Sequence, residues 1–276
     1  GVDTLPPLPA DPGDRNRTSP FAFTGNRFEF RAPGSSQSIA GPLVALNAIV
    51  ADSLDVIATR LESDLEQGTE LHDAVQAVLQ DLLAEHGAIV FNGDGYSEEW
   101  QVEAASRGLP NLRTSVDALP ELGSREVVEL FGRHGVLTER ELTSRMEVYL
   151  EQYVMSVRVE ARSALEIAAT FILPAANRHF GELARTAADL RSLGREPDLV
   201  RLDALGGQID ELRSAIDRLR ASVHEDQSGS LARARHACDV VLPAMDAVRA
   251  AADALEEVVA DDLWPLPTYQ EMLFIL

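Results

Sequence analysis

Hydrophobic and polar positions follow three rhythms along this chain. The first is a period of two. Phe21 and Phe23 alternate with Ala22, Thr24-Gly25-Asn26 supplies turn chemistry, and Arg27-Phe28-Glu29-Phe30-Arg31 alternates strictly, so the segment predicts a β-hairpin. A two-residue period puts Phe28 and Phe30 on one face, toward a core, and Arg27, Glu29 and Arg31 together on the other. From Ser36 onward the rhythm becomes helical. Pro42 sits near a helix start, and Leu43 to Leu65 is apolar at three-to-four spacing. A second helix is predicted over about Thr69 to His86. The two glycines of Phe91 to Tyr96 mark a loop, and Ser97-Glu98-Glu99-Trp100 opens a helix that ends near Gly108. A shorter helix follows around Ser124 to Arg133. Thr138 with Glu141 forms a capping box that begins a long helical stretch to about Leu193, kinked or divided at Pro174.

The third rhythm is a heptad. Leu202, Leu205, Ile209, Leu212, Ile216, Leu219 and Val223 recur at alternating spacings of three and four. After the polar break at 225–230, a matching seam runs through Leu231, Ala234, Cys238, Val241, Met245, Val248, Ala252, Leu255 and Val259. The pair predicts an antiparallel coiled-coil hairpin over about 197–260. Gly206-Gly207 in the first arm and Pro243 in the second weaken it locally. The chain closes with Leu263-Trp264-Pro265-Leu266-Pro267 and a short apolar helix from Thr268.

Composition divides the chain at the same place as the rhythm. Six of the 14 prolines and four of the nine phenylalanines lie in residues 1–35, and residues 1–40 are charge-balanced, so the net charge of -21 falls on the helical remainder. That acidity argues against a nucleic-acid partner. No stretch approaches the roughly 20 consecutive apolar residues that span a bilayer, so no membrane partner is expected. Every basic side chain is arginine, which excludes lysine Schiff-base chemistry and a phosphate-loop lysine. A single cysteine and no secretory leader point to a cytoplasmic chain, and an opening at Gly1 without start-like features to a piece of something longer.

Few residues are candidates for chemistry. Two guanidinium groups flanking a carboxylate, as in Arg27-Glu29-Arg31 with Arg17 close by, can hold a phosphate or carboxylate ligand while the carboxylate binds a divalent cation. A salt-bridge ladder on a solvated sheet face fits the same spacing. The six histidines never fall at i,i+4, which argues against a histidine metal site. Cys238 reads as a small apolar seam filler. Glu98 and Glu99 read as first-turn acids favoured by the helix dipole, and Met146, Tyr149 and Tyr153 as a core stripe.

Asn16-Arg17-Thr18-Ser19-Pro20-Phe21-Ala22-Phe23-Thr24-Gly25-Asn26-Arg27-Phe28-Glu29-Phe30-Arg31 resembles the closing active-site segment of the glutamine synthetases, whose pattern is Asn-Arg-Ser/Thr followed by Arg-x-Glu-x-Arg on a strand. The segments 34–42, 95–100, 107–112, 149–153 and Leu263-Trp264-Pro265-Leu266-Pro267-Thr268-Tyr269 are similar to the type III branch specifically. The resemblance covers almost the whole chain and is weakest across the heptad arms. Other members place a further arginine a few residues after the Asn-Arg pair, where this chain has Phe21-Ala22-Phe23.

The resemblance implies that Arg17 contacts the ATP γ-phosphate, Arg27 lies near the nucleotide, Glu29 ligates the divalent cation and Arg31 holds substrate glutamate. Arg17 and Arg31 would be the catalytic pair, with ATP and Mg2+ or Mn2+ as cofactors. The implied reaction joins glutamate and ammonia to glutamine at the expense of ATP, through a γ-glutamyl phosphate, in a homo-oligomeric ring. The remaining metal carboxylates, a metal-binding histidine and a flexible acidic loop would lie upstream of Gly1, leaving this chain alone incomplete and inactive. The expected fold class is α+β, predominantly helical. Residues 1–66 would end the catalytic domain and 67–276 would form a helical type III-specific domain, its coiled-coil hairpin an assembly element. The alternative is a non-catalytic helical scaffold or oligomerisation module.

Overall fold

A computed structural model describes residues 21–23, 27–30, 38–91, 93–95, 97–224, 227–267 and 269–273. Two short strands come first, β1 (Phe21–Phe23) and β2 (Phe28–Phe30), paired antiparallel with Ala22 opposite Glu29. The expected turn at 24–26 lies outside the described residues. Among the described residues all other elements are helical, the α-helices being α1 (Ala40–Glu66), α2 (Leu71–His86), α3 (Glu98–Ser106), α4 (Ser115–Ala118), α5 (Arg125–Arg133), α6 (Glu139–Ile167), α7 (Leu173–Ser192), α8 (Val200–His224), α9 (Ser230–His236), α10 (Leu242–Glu256) and α11 (Tyr269–Leu273). The predominantly helical α+β class is as expected. By contacts the chain forms two compact units, residues 1–142 and 143–276, with the division inside α6.

The helix starts follow their capping chemistry. Ser97 Oγ accepts from the Trp100 N–H, leaving Glu98 and Glu99 in the first turn of α3 as the dipole favours. At the start of α6, Thr138 Oγ1 accepts from the Glu141 N–H at 3.3 Å, and Glu141 Oε2 accepts from the Thr138 N–H at 2.8 Å. The capping box therefore closes reciprocally.

In residues 1–142, α1 packs against α2 and α5, and a small core forms from Ala48, Phe131 and Leu142. Ala48 is the one buried residue in the 27 of α1. By length and composition α1 is apolar enough to cross a bilayer. Its apolar run is broken at Asn47, Asp52, Ser53 and Asp55, which is why consecutive counting along the sequence passed over it. Phe28 departs from expectation. It is 58% exposed rather than in a core, because two three-residue strands bury little and no described layer covers that face.

In residues 143–276 the core is continuous. It joins Val157 and Ala161 of α6, Ala176 of α7, seven buried apolar residues of α8 and the inner face of α10. α8 runs antiparallel to the following arm: the Gln208 side-chain amide donates to Ala254 O, while His236 Nε2 lies 2.8 Å from Ser222 O. α7 packs on α8 as well. This changes the expected picture of two heptad arms awaiting a partner. Leu205, Ile209, Leu212, Ile216, Leu219 and Val223 are buried as the seam predicts, but within the chain's own multi-helix core.

The second arm is also not a regular heptad helix. A π-helical turn at Ala237–Val241 precedes Leu242-Pro243-Ala244, and another at Ala168–Ile172 precedes Leu173-Pro174-Ala175. A proline lacks the N–H of the helical ladder and its ring crowds the carbonyl four residues back; a widened turn relieves that crowding without breaking the helix. Pro174 and Pro243 thus each mark a wide turn in an otherwise continuous helical path.

Candidate functional site

Strand register places Glu29 at the centre of β2, with Arg27 just before the strand. A two-residue step puts both side chains on one face, and Arg27 Nε lies 3.9 Å from Glu29 Oε1. These side chains are 73% and 41% exposed, so the pair is worth at most about 1 kcal/mol to folding. The rings of Phe21 and Phe28, diagonal neighbours across the pair, stack with centroids 4.9 Å apart. Of the four residues expected at the site, Arg27 and Glu29 are brought together; Arg17 and Arg31 lie outside the described residues.

Glu29 offers the hard carboxylate oxygens that Mg2+ or Mn2+ prefers. Among the described residues no group of three or more His, Cys, Asp or Glu could hold a metal ion. A cation here would take one ligand from β2 and the others from elsewhere.

A second polar cluster was not foreseen. Asp52 of α1 forms an ion pair with Arg133, its Oδ1 3.1 Å from Arg133 Nη1, and lies 2.9 Å from His134 Nε2. Gly135, at φ +62°, ends α5 with the Val136 N–H donating to Phe131 O, and this turn holds His134 at the helix end. Asp52 and His134 are 82 positions apart, a distance no local motif spans. The cluster ties α1 to the end of α5.

A third cluster surrounds Trp100. Its ring stacks on Phe91 with centroids 4.2 Å apart, and the Arg107 guanidinium lies 5.4 Å from its centroid. Arg107 also donates to Ala88 O and Val90 O and pairs with Glu103, which closes the 88–107 segment on itself. Both groups on the ring, Phe91 and Arg107, are therefore used in packing. Cys238 sits half-buried in the second π turn, near the Tyr153 hydroxyl. Burial, the Cys238 thiol and the nearby Asp239 and Glu160 push the Tyr153 phenol well above its ordinary value. Tyr153 packs against the core, in keeping with the structural reading of the stripe.

Comparison with known proteins places these features. Residues 74–191, from α2 through α7, match the family described as the glutamine synthetase C-terminal domain. The type-3 glutamine synthetase of Dictyostelium discoideum is 37% identical over 285 residues, covering 100% of this chain and 39% of that protein. The glutamine synthetase of Bacteroides fragilis (strain YCH46) is 34% identical over 99% of this chain and 39% of its own length. That of Butyrivibrio fibrisolvens is 34% identical over 96% and 38%. The chain matches a C-terminal portion of a type III glutamine synthetase. It spans about two fifths of the length of these relatives.

Proposed function

We propose that this chain works as part of an ATP-dependent glutamine synthetase that forms glutamine from glutamate and ammonia through a γ-glutamyl phosphate. The observation that carries the proposal is the exposed Arg27–Glu29 pair on the polar face of β2, inside the segment that resembles the family's closing active-site pattern.

In this reading Glu29 supplies one oxygen ligand to Mg2+ or Mn2+, and the cation neutralises charge on the transferring phosphoryl group. Arg17 holds the ATP γ-phosphate, Arg27 lies beside the nucleotide, and Arg31 fixes the substrate carboxylate through its planar fork of donors. The arginines stabilise charge that develops as phosphate passes to the glutamate side chain and then leaves as ammonia attacks. The other metal ligands come from the part of the polypeptide beyond this chain. Assembly is a homo-oligomeric ring in the cytoplasm, with no nucleic-acid or membrane partner. The heptad seams are consumed inside residues 143–276, so any subunit contact made by this region uses its outer faces rather than the seams.

The test is Glu29→Ala in the full polypeptide. Removal of a ligand that acts on transition-state charge should lower turnover by about 100-fold or more and weaken Mn2+ binding by calorimetry, with the circular dichroism spectrum unchanged. Unchanged metal affinity and turnover would favour the non-catalytic scaffold.

A further inference from the structure

Arg107, Arg125, Arg213, Arg220 and Arg249 each pair with a carboxylate three or four positions away, the spacing at which side chains meet on a helix. Arg158 of α6 is placed differently. Its neighbours at those spacings are Val154, Met155, Ala161 and Arg162, so its own helix offers it no acid. The segment that packs nearby is no more acidic: residues 227–238 hold Arg233, Arg235 and His236 and neither Asp nor Glu.

Arg158 lines a hollow of about 30 Å³ where the end of α8 and the start of α9 meet α6. The floor is aliphatic, for Val154, Val157, Val223, Ala237 and Val241 are all buried. Ser222, also at the hollow, is already matched: its Oγ donates to Leu219 O, and its carbonyl, which can only accept, takes a bond from His236 Nε2 at 2.8 Å. Arg233 of α9 faces the same space, with Glu151 Oε1 3.5 Å from its Nη2. Among the described residues no Asp or Glu lines the hollow itself. Two guanidinium groups from different helices thus border an aliphatic floor.

The space holds about two waters, or one group of comparable size. A carboxylate suits it, because its two oxygens match the planar fork of a guanidinium while its carbon tail meets the floor. Phosphate suits it less, since oxygens on every side would set some against aliphatic carbon without a donor. We infer that this hollow binds the carboxylate end of a small aliphatic acid, with Arg158 gripping the oxygens beside Arg233 and the adjoining carbons on the valine floor. Bound there, the acid ties α6 to the junction of α8 and α9. The inference concerns residues 143–276 and does not depend on the proposed function.

The test follows amide hydrogen exchange of the full polypeptide by mass spectrometry, with sodium propionate as the probe and sodium chloride at matched ionic strength as the reference. Openings that release the acid become rarer by the factor 1 + [L]/Kd, so exchange in peptides spanning 222–241 should slow about 11-fold at ten times Kd. Exchange in α1 should not change, which separates a site from a general effect of the salt. Arg158→Gln, at an exposed position, should leave exchange without propionate as it was and remove the slowing. Arg158→Lys, which keeps the charge and loses the fork, should retain part of it. No slowing up to about 100 mM propionate, ten times a weak Kd of about 10 mM, overturns the inference. So does equal slowing by chloride, or slowing that survives in Arg158→Gln. Stronger slowing by sodium phosphate than by propionate overturns it too, as the mark of a plain anion site without use of the aliphatic floor.

Discussion

Helices α1 and α8 have nearly the same length, 27 and 25 residues, and opposite fates. The first is the more apolar and buries one residue. The second carries charged residues on most turns and buries eight, from Leu205 to Val223. Burial therefore follows the match between a stripe and what faces it, not hydrophobic content. The apolar positions of α8 fall on a narrow seam that α7 and α10 fill, and its charges point to water. Those of α1 wrap the helix, which packs chiefly against α2 and α5. One region closes a continuous core of its own, and the other leaves more of its apolar surface exposed.

The largest effect expected from this contrast comes from paired truncations. Leu212 is fully buried, so Leu212→Ala should cost about 2–5 kcal/mol in denaturant unfolding, whether the protein is residues 1–276 or the full polypeptide. Leu54→Ala should cost under about 0.5 kcal/mol in residues 1–276 and several times more in the full polypeptide. Equal, small costs for Leu54→Ala in both contexts would break the comparison, since α1 would then be an exposed helix in earnest.

Much of this was legible in the sequence, and the failures have physical causes. The α8 seam was visible because a heptad is local: each buried position predicts the next. The Thr138–Glu141 box and the Ser97 cap were visible for the same reason. The wide turns before Pro174 and Pro243 were expected only as kinks or weaknesses, because whether a helix breaks or widens at a proline depends on the packing that holds its two halves in line. The third helix against the heptad pair was missed because periodicity shows that a face is buried without showing by how many neighbours. At the candidate site, the alternation of 27–31 placed Arg27 and Glu29 on one face correctly. It could not reveal that Phe28 is largely exposed, nor join Asp52 to a histidine 82 positions away.

The polar hold on α1 gives the next prediction. Asp52 is its one charged anchor to α5, with side chains a quarter exposed or less at Asp52 and His134. Asp52→Asn keeps the shape and removes the charge, so it should cost about 1 kcal/mol, the scale of a partly exposed ion pair. It should also speed hydrogen exchange in the 43–57 segment of residues 1–276 more than in α8. A change confined to α8 would mean the anchor is not what holds α1.

Adjacent glycines on α8 sharpen the claim that this helix is packed on more than its seam. Alanine at Gly207 would meet nothing within 4 Å, whereas a Cβ at Gly206 would lie 3.3 Å from the Phe180 ring. Gly207→Ala should therefore gain about 0.5–1 kcal/mol from helix propensity, and Gly206→Ala should lose that gain to the displaced ring of α7. Equal gains at both positions would show that α7 sits less tightly on α8 than described.

The smallest effect tests the core of residues 143–276 by pH. Burial, the Cys238 thiol and the neighbouring Asp239 and Glu160 all disfavour the Tyr153 phenolate, raising its value in the folded state above the ordinary one near 10. The folded chain then holds that proton more tightly than the unfolded chain. Its contribution is fully present below about pH 10 and is lost as pH rises beyond it, since the unfolded phenol ionises first and draws the equilibrium with it. Unfolding free energy measured between pH 9 and 11.5 should decline, and Tyr153→Phe should flatten that decline. A decline equally steep in Tyr153→Phe would mean that Tyr153 meets water as freely as residues on α1 do, and the contrast between a closed region and an open one would narrow at that point.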